Sequence, residues 1–209
     1  MGLAAVLAGV SIVVLIVLGA IGRGGADSIA PRTSLSDGRT LGSPDAPVTL
    51  QVWEDYQCPF CKDANGAALA QVEQTYVASG QVRIEYHNFA FLGDESLLAA
   101  EAAEAANDQG MFWPYHDELF AAQAGENRGA FSTAKLKQIA ADLGLDTAAF
   151  NAALDGHVHR AAILQERADG QALGVASTPS FFVNGQLIKG AQPFSAFQSA
   201  IDAALQKAQ

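Results

Sequence analysis

The only two cysteines of the chain stand three positions apart, in Cys58-Pro59-Phe60-Cys61. Residues at this spacing on one helical turn hold their Cβ atoms about 5–6 Å apart. A disulfide can open and close across that span with little backbone movement. The pair falls where a strand should end and a helix begin. Pro59 suits the first helical position, because its missing N–H would be unpaired there anyway. A helix N-terminus also offers free N–H groups and the positive end of the helix dipole, and both favour a thiolate over a thiol. Cys58 is therefore expected to be the exposed nucleophile. Cys61, one turn further in and less exposed, is expected to attack the mixed disulfide and release product. The chemistry is thiol–disulfide exchange.

Two other uses of a cysteine pair fit less well. A zinc site would need two more ligands, and His87, His116, His157 and His159 do not fall at finger spacings. A purely structural disulfide would close a very small loop and stabilise little. No metal or cofactor is expected. With 22 acidic against 12 basic residues the formal net charge is -10, which disfavours nucleic acid and other polyanions as partners. Half of the 209 residues are hydrophobic, enough for one packed domain and an appendage.

The elements that must position the cysteines can be read from periodicity. Val48 to Trp53 alternates and is rich in β-formers, so it is predicted as a strand. Cys61, Ala64, Ala68, Val72 and Tyr76 recur at helical steps and form one apolar face, with Gly80 ending the helix. Val82 to Tyr86 alternates again as a second strand. A helical region from about 95 to 173 follows, broken at Gly110, between Gly125 and Gly129, at Gly144 and at Gly156. Within it Leu136, Ile139, Ala140 and Leu143 mark one amphipathic helix. Phe150 and Leu154 mark another, with Asp146 as its N-cap. Ser180 to Val183, the turn pair Asn184-Gly185, and Gln186 to Ile188 spell a hairpin. Pro193 opens a last helix that faces Phe194, Phe197, Ile201 and Leu205 inward. The result is an α/β fold: a mixed sheet flanked by helices, with the first two strands parallel and the last two antiparallel.

Residues Gly2 to Ile21 carry no charge and are long enough to cross a bilayer as a helix. The expected organisation is an anchor or signal segment over 1–22, a linker over 23–45 and the folded domain over 46–209. The domain would then be extracytoplasmic, on a single-pass anchor in the cell membrane. Arg23, Arg32 and Arg39 follow the segment and no basic residue precedes it. The positive-inside bias therefore argues for the opposite orientation, although long domains translocate largely regardless of such charges.

Three motifs in order carry a family resemblance. Gly42-Ser43-Pro44-Asp45-Ala46-Pro47-Val48 leading to Asp55-Tyr56-Gln57-Cys58-Pro59-Phe60-Cys61 strongly resembles the DsbA-like branch of the thioredoxin superfamily. Phe112-Trp113-Pro114-Tyr115-His116-Asp117-Glu118-Leu119-Phe120 resembles a signature of its inserted helical domain. Thr178-Pro179-Ser180-Phe181-Phe182-Val183-Asn184-Gly185 is similar to its cis-proline loop and hairpin. The resemblance implies a thioredoxin-like fold with a helical insertion, about 94–174, between the second and third strands. It implies action on reduced or misoxidised polypeptides outside the cytoplasm, as oxidase or isomerase, with a quinone-linked membrane partner. Carried over, Cys58 attacks, Cys61 resolves, and Thr178 and cis Pro179 lie beside them, with Thr178 and the exposed Phe60 meeting the substrate.

Many members carry a buried acid six positions before the first cysteine, and here that position is Val52. Alternation is expected to point the nearby Glu54 and Asp55 elsewhere. Trp113, Tyr115 and His116 are expected to pack in the core, and His87 to be a satisfied structural histidine.

Overall fold

The computed structural model describes residues 36–208. Two short strands, β1 (Ser36–Asp37) and β2 (Thr40–Leu41), come first, followed by the long β3 (Val48–Glu54). Helix α1 (Pro59–Ala64) starts at the proline, as its preset φ favours, with Cys58 as N-cap. It runs on through a π-helical turn, α2 (Ala70–Val72) and a second π-helical turn to Val77. Strand β4 (Val82–Asn88) follows. The helical insertion comprises α3 (Asp94–Asn107), α4 (Phe112–Ala122), α5 (Thr133–Asp142), α6 (Thr147–Asp155) and α7 (Arg160–Ala172). The chain then returns to the sheet as β5 (Ser180–Val183) and β6 (Gln186–Lys189), and ends in α8 (Phe194–Lys207).

The strands lie in the order β1-β2-β4-β3-β5-β6. β3 and β4 run parallel, with Glu54 opposite Asn88, and β5 is antiparallel to β3 with Ser180 opposite Trp53. This register brings the start of β5 to the end of β3, where the cysteines are. On one sheet face Leu50, Val52 and Ile84 pack with Ala68, Val72, Phe197 and Ile201, in the same buried cluster as Phe112, Leu119, Phe131 and Phe150 of the insertion. On the other face Trp53 packs with Phe89, Val175 and Phe182. Helix α7 approaches Trp53 so closely that a Cβ on Gly170 would lie 2.6 Å from the indole, so only glycine fits there.

The predicted hairpin and breaks are present, and Asp146 caps α6 through the N–H groups of Ala148 and Ala149. Pro193 is the N-cap of α8 rather than its first residue.

The linker expectation for 23–45 needs correction in its described part. β1 and β2 form a hairpin, and β2 pairs with β4 through Thr40–Glu85 and Leu41–Ile84. Strands this short carry no periodic signal, and pairing with an existing edge makes them. Arg39, in the hairpin turn, reaches Glu104 of α3 at 3.1 Å and Glu166 of α7 at 2.8 Å. His87 and Asn88 of β4 also bond Glu166, and Asn88 bonds Glu104. The hairpin thus clasps sheet to insertion.

The expected anchor, 1–22, and most of the linker lie outside the described residues. Among the described residues no helix is long and apolar enough to cross a membrane.

Candidate active site

The turn between β3 and α1 is built on Asp55, a fully buried carboxylate. It accepts from the backbone N–H of Gln57, Phe91 and Leu92 and from the Ser96 hydroxyl, at 2.6–3.0 Å. Its carbonyl accepts the Cys58 N–H at 2.9 Å. The insertion grips the same turn. Gln123 Nε2 donates to the carbonyls of Tyr56 and Cys58 at 2.6 and 3.0 Å, and Gln57 is bonded to Ser96 and to Asn127. Gln57 and Gln123 carry no chemical signal in the sequence, and Asp55, there an acid expected to point elsewhere, proves to organise the turn. Nothing local marks Gln123, because its partners lie more than sixty residues away.

Cys58 and Cys61 are unlinked here. The expectation of an exposed nucleophile is corrected: Cys58 is only 5 % exposed, although Cys61, at 0 %, is more completely enclosed. The cause is the loop before β5, whose Thr178 carbonyl accepts the Cys58 thiol at 3.4 Å. The Thr178–Pro179 bond is cis, as the resemblance implied. Phe60 is 61 % exposed at the helix tip, beside a groove of about 520 Å³ shared with Ala64, Pro193 and Phe194. Cys58, Cys61, Phe60, Thr178 and Pro179 thus gather at one end of the sheet.

The two sulfurs are electrostatically unlike. A hydrogen bond from Cys61 lowers the Cys58 pKa to about 6, against the effect of burial. The N–H groups of Cys61 and Phe60 lower it as well, and so does the nearby Thr178 hydroxyl, which is unpaired while the thiol is protonated and free to turn to the thiolate. Burial drives the Cys61 pKa well up, and the neighbouring Cys58 and the charge of Glu54 add to this.

Glu54 is the second correction. It is fully buried and shares a face, and a closed pocket, with Val52, as a period of two requires. Its carboxylate accepts both 2.8 and 3.0 Å bonds from Asn65, whose amide also donates to the Cys61 carbonyl at 3.0 Å. An acid two positions from the expected one therefore acts on the inner sulfur. Lys62 donates to the Ala121 carbonyl at 3.4 Å, tying α1 to α4. Trp113, Tyr115 and His116 are buried as expected; His87 is satisfied only in part, its Nδ1 pairing with Glu166 while its buried Nε2 has no partner. Among the described residues no cluster of His, Cys, Asp and Glu could hold a metal ion.

The family model described as Thioredoxin matches residues 34–203. The chain belongs to the thioredoxin family. Within it the chain is similar to the probable disulfide bond formation protein D of Bacillus anthracis. The two are 31 % identical over 174 residues, covering 81 % of this chain and 79 % of that protein. Among solved structures it resembles oxidised BdbD from Bacillus subtilis, with a TM-score of 0.74 at 26 % identity over 81 % of this chain and 93 % of that one. It also resembles a thioredoxin-like oxidoreductase from Silicibacter pomeroyi DSS-3, with a TM-score of 0.69 at 33 % identity over 85 % and 99 % of the two chains. This thioredoxin-family chain is a protein disulfide oxidoreductase.

Proposed function

We propose that the chain is an extracytoplasmic oxidase that passes the Cys58–Cys61 disulfide to the thiols of newly translocated polypeptides. The observation that carries this is the asymmetry of the two sulfurs, with Cys58 held near pKa 6 and Cys61 well above the usual thiol range. A stabilised Cys58 thiolate favours the dithiol form, which makes the disulfide more oxidising than an unperturbed pair would be. A substrate thiolate attacks Cys58, and Cys61 leaves. A second substrate thiol then displaces Cys58 and completes the transfer. Thr178 and Pro179 support an extended substrate backbone beside the sulfur, and Phe60 and its groove take an apolar side chain. In this reading residues 2–21 tether the domain to the cell membrane, and a quinone-linked membrane partner reoxidises it.

Equilibration with glutathione tests the direction. A potential well above that of glutathione supports the oxidase, and one well below it supports a reductase, each 30 mV or so being about 1.4 kcal/mol. Cys61→Ser should accumulate mixed disulfides with substrate, and Cys58→Ser almost none. Equal trapping by both would defeat the assignment.

A further inference from the structure

Cys61 is fully enclosed, so its thiol exchanges its proton with water only through a neighbouring group. Glu54, joined to the Cys61 backbone by the Asn65 amide that bonds both its carboxylate and the Cys61 carbonyl, is itself 1 % exposed. Beyond Glu54 stands His116 of α4, which is equally buried. Its Nε2 lies 3.9 Å from Glu54 Oε2 and has no hydrogen-bond partner. Its Nδ1 lies 3.0 Å from Oδ1 of Asp117, whose side chain is 52 % exposed. The rings of Tyr56, Tyr86, Phe112, Trp113 and Phe120 surround the imidazole, with centroids 4.9–5.8 Å away.

An unmet ring nitrogen in such a box costs stability; His87 also leaves its Nε2 unmet, and what sets His116 apart is that its open nitrogen faces a buried carboxylate. Here one nitrogen is bonded toward the surface and the other is left open opposite a buried acid. With the proton on Nδ1, shared with Asp117, the lone pair of Nε2 faces Glu54. The titratable groups around the ring are Glu54 from β3, Tyr56, Tyr86 from β4, Glu73 across the same pocket, and Asp117 on its own helix.

We propose that His116 and Asp117 form a proton relay that connects Glu54, and through it the Cys61 thiol, to solvent. This rests on Cys58 and Cys61 being the reacting pair. When Cys61 resolves a mixed disulfide, its proton passes to the Glu54 carboxylate and its sulfur attacks the Cys58 sulfur. The Cys58–substrate bond breaks, the protein pair is oxidised to the disulfide, and the substrate leaves as a thiolate that water protonates. Protonated Glu54 turns to close the 3.9 Å gap and passes its proton to His116 Nε2, and the Nδ1 proton leaves by Asp117. In the oxidising direction Cys61 departs as a thiolate and the same route runs inward. His116 acts through Glu54 and touches neither sulfur.

The test mixes the reduced full chain with one equivalent of an aromatic disulfide that releases a coloured thiolate. The first release reports attack by Cys58 and the second reports closure by Cys61. His116→Gln should leave the first phase within about twofold. It should slow the second by about tenfold or more, within the range of acid–base effects, and displace its pH profile. Asp117→Asn, at a half-exposed position, should slow the second phase alone without disturbing the core. A merely structural role would move the unfolding midpoint and leave that profile in place. A second phase at the wild-type rate across the pH series in Asp117→Asn, and in His116→Gln if it folds, overturns the relay. A first phase that survives Cys58→Ser overturns the assignment of the reacting pair, and the relay with it.

Discussion

The side-chain amide of Gln123 donates a hydrogen bond to the carbonyl of Cys58 at 3.0 Å and another to Tyr56 at 2.6 Å. The helical insertion thus holds the backbone of the reacting cysteine directly. Gln123→Ala leaves the Tyr56 carbonyl without this donor and should cost about 1–3 kcal/mol, the range for an unmet buried polar group. Urea unfolding measures it. A midpoint equal to wild type would show that water replaces the amide without loss.

Cys58 makes the stability of the reduced protein depend on pH. Its folded pKa, about 6, lies below the unfolded value, so the reduced fold gains stability as pH rises from about 6. The gain is complete above the unfolded value, about 8.5. The raised Cys61 pKa acts the other way. It costs stability once the pH exceeds about 8.5, where the unfolded thiol ionises and the folded one does not. Reduced protein should therefore melt above oxidised protein at neutral pH, with the widest gap near pH 8.5 or so and a shrinking one in acid. Melts of both forms across a pH series decide this. An oxidised form that melts higher throughout removes the physical basis of the oxidase reading.

Thr178→Val removes one hydroxyl that favours the Cys58 thiolate. The pH midpoint of Cys58 alkylation should rise from its value near 6, and the potential should fall. An unchanged midpoint would leave the lowering to Cys61 and the helix N–H groups.

Burial does most to raise the Cys61 pKa, and Glu54→Gln removes the buried charge that adds to it. In a Cys58→Ala background, where only one thiol titrates, the Cys61 titration followed by NMR should move to lower pH. No movement would mean that burial alone raises it.

Arg39→Ala should cost about 3 kcal/mol or somewhat less, because it takes the guanidinium from the half-buried carboxylates of Glu104 and Glu166 and leaves them only their bonds to His87, Asn88 and Asn107. Glu166 is desolvated by burial, yet His87 and Arg39 hold its pKa below the usual value. Its share of stability is present above the unfolded value, about 4.3, and is lost as pH falls through the depressed folded one. Urea midpoints of wild type and variant should converge in acid. A constant difference would assign the loss to hairpin packing instead.

Local pattern determined much of this protein. Cys58 and Cys61 at helical spacing, Pro59 at the helix start, the alternation of Val48 to Trp53 and the Asn184-Gly185 turn each carry their signal within a few residues. Propensity and periodicity act over that range. Even Glu54 was legible in principle, since a period of two puts it on the face of Val52. Tertiary structure alone decided the rest. Thr178 covers Cys58 from 120 residues away. β1 and β2 exist as strands because β4 offers them an edge, and Glu54 meets His116 only because α4 packs across the end of the sheet. Such contacts depend on how elements dock, which is set by shape and burial over the whole core. A chain read locally holds the cysteines and their helix, but not the groups that make the two sulfurs different.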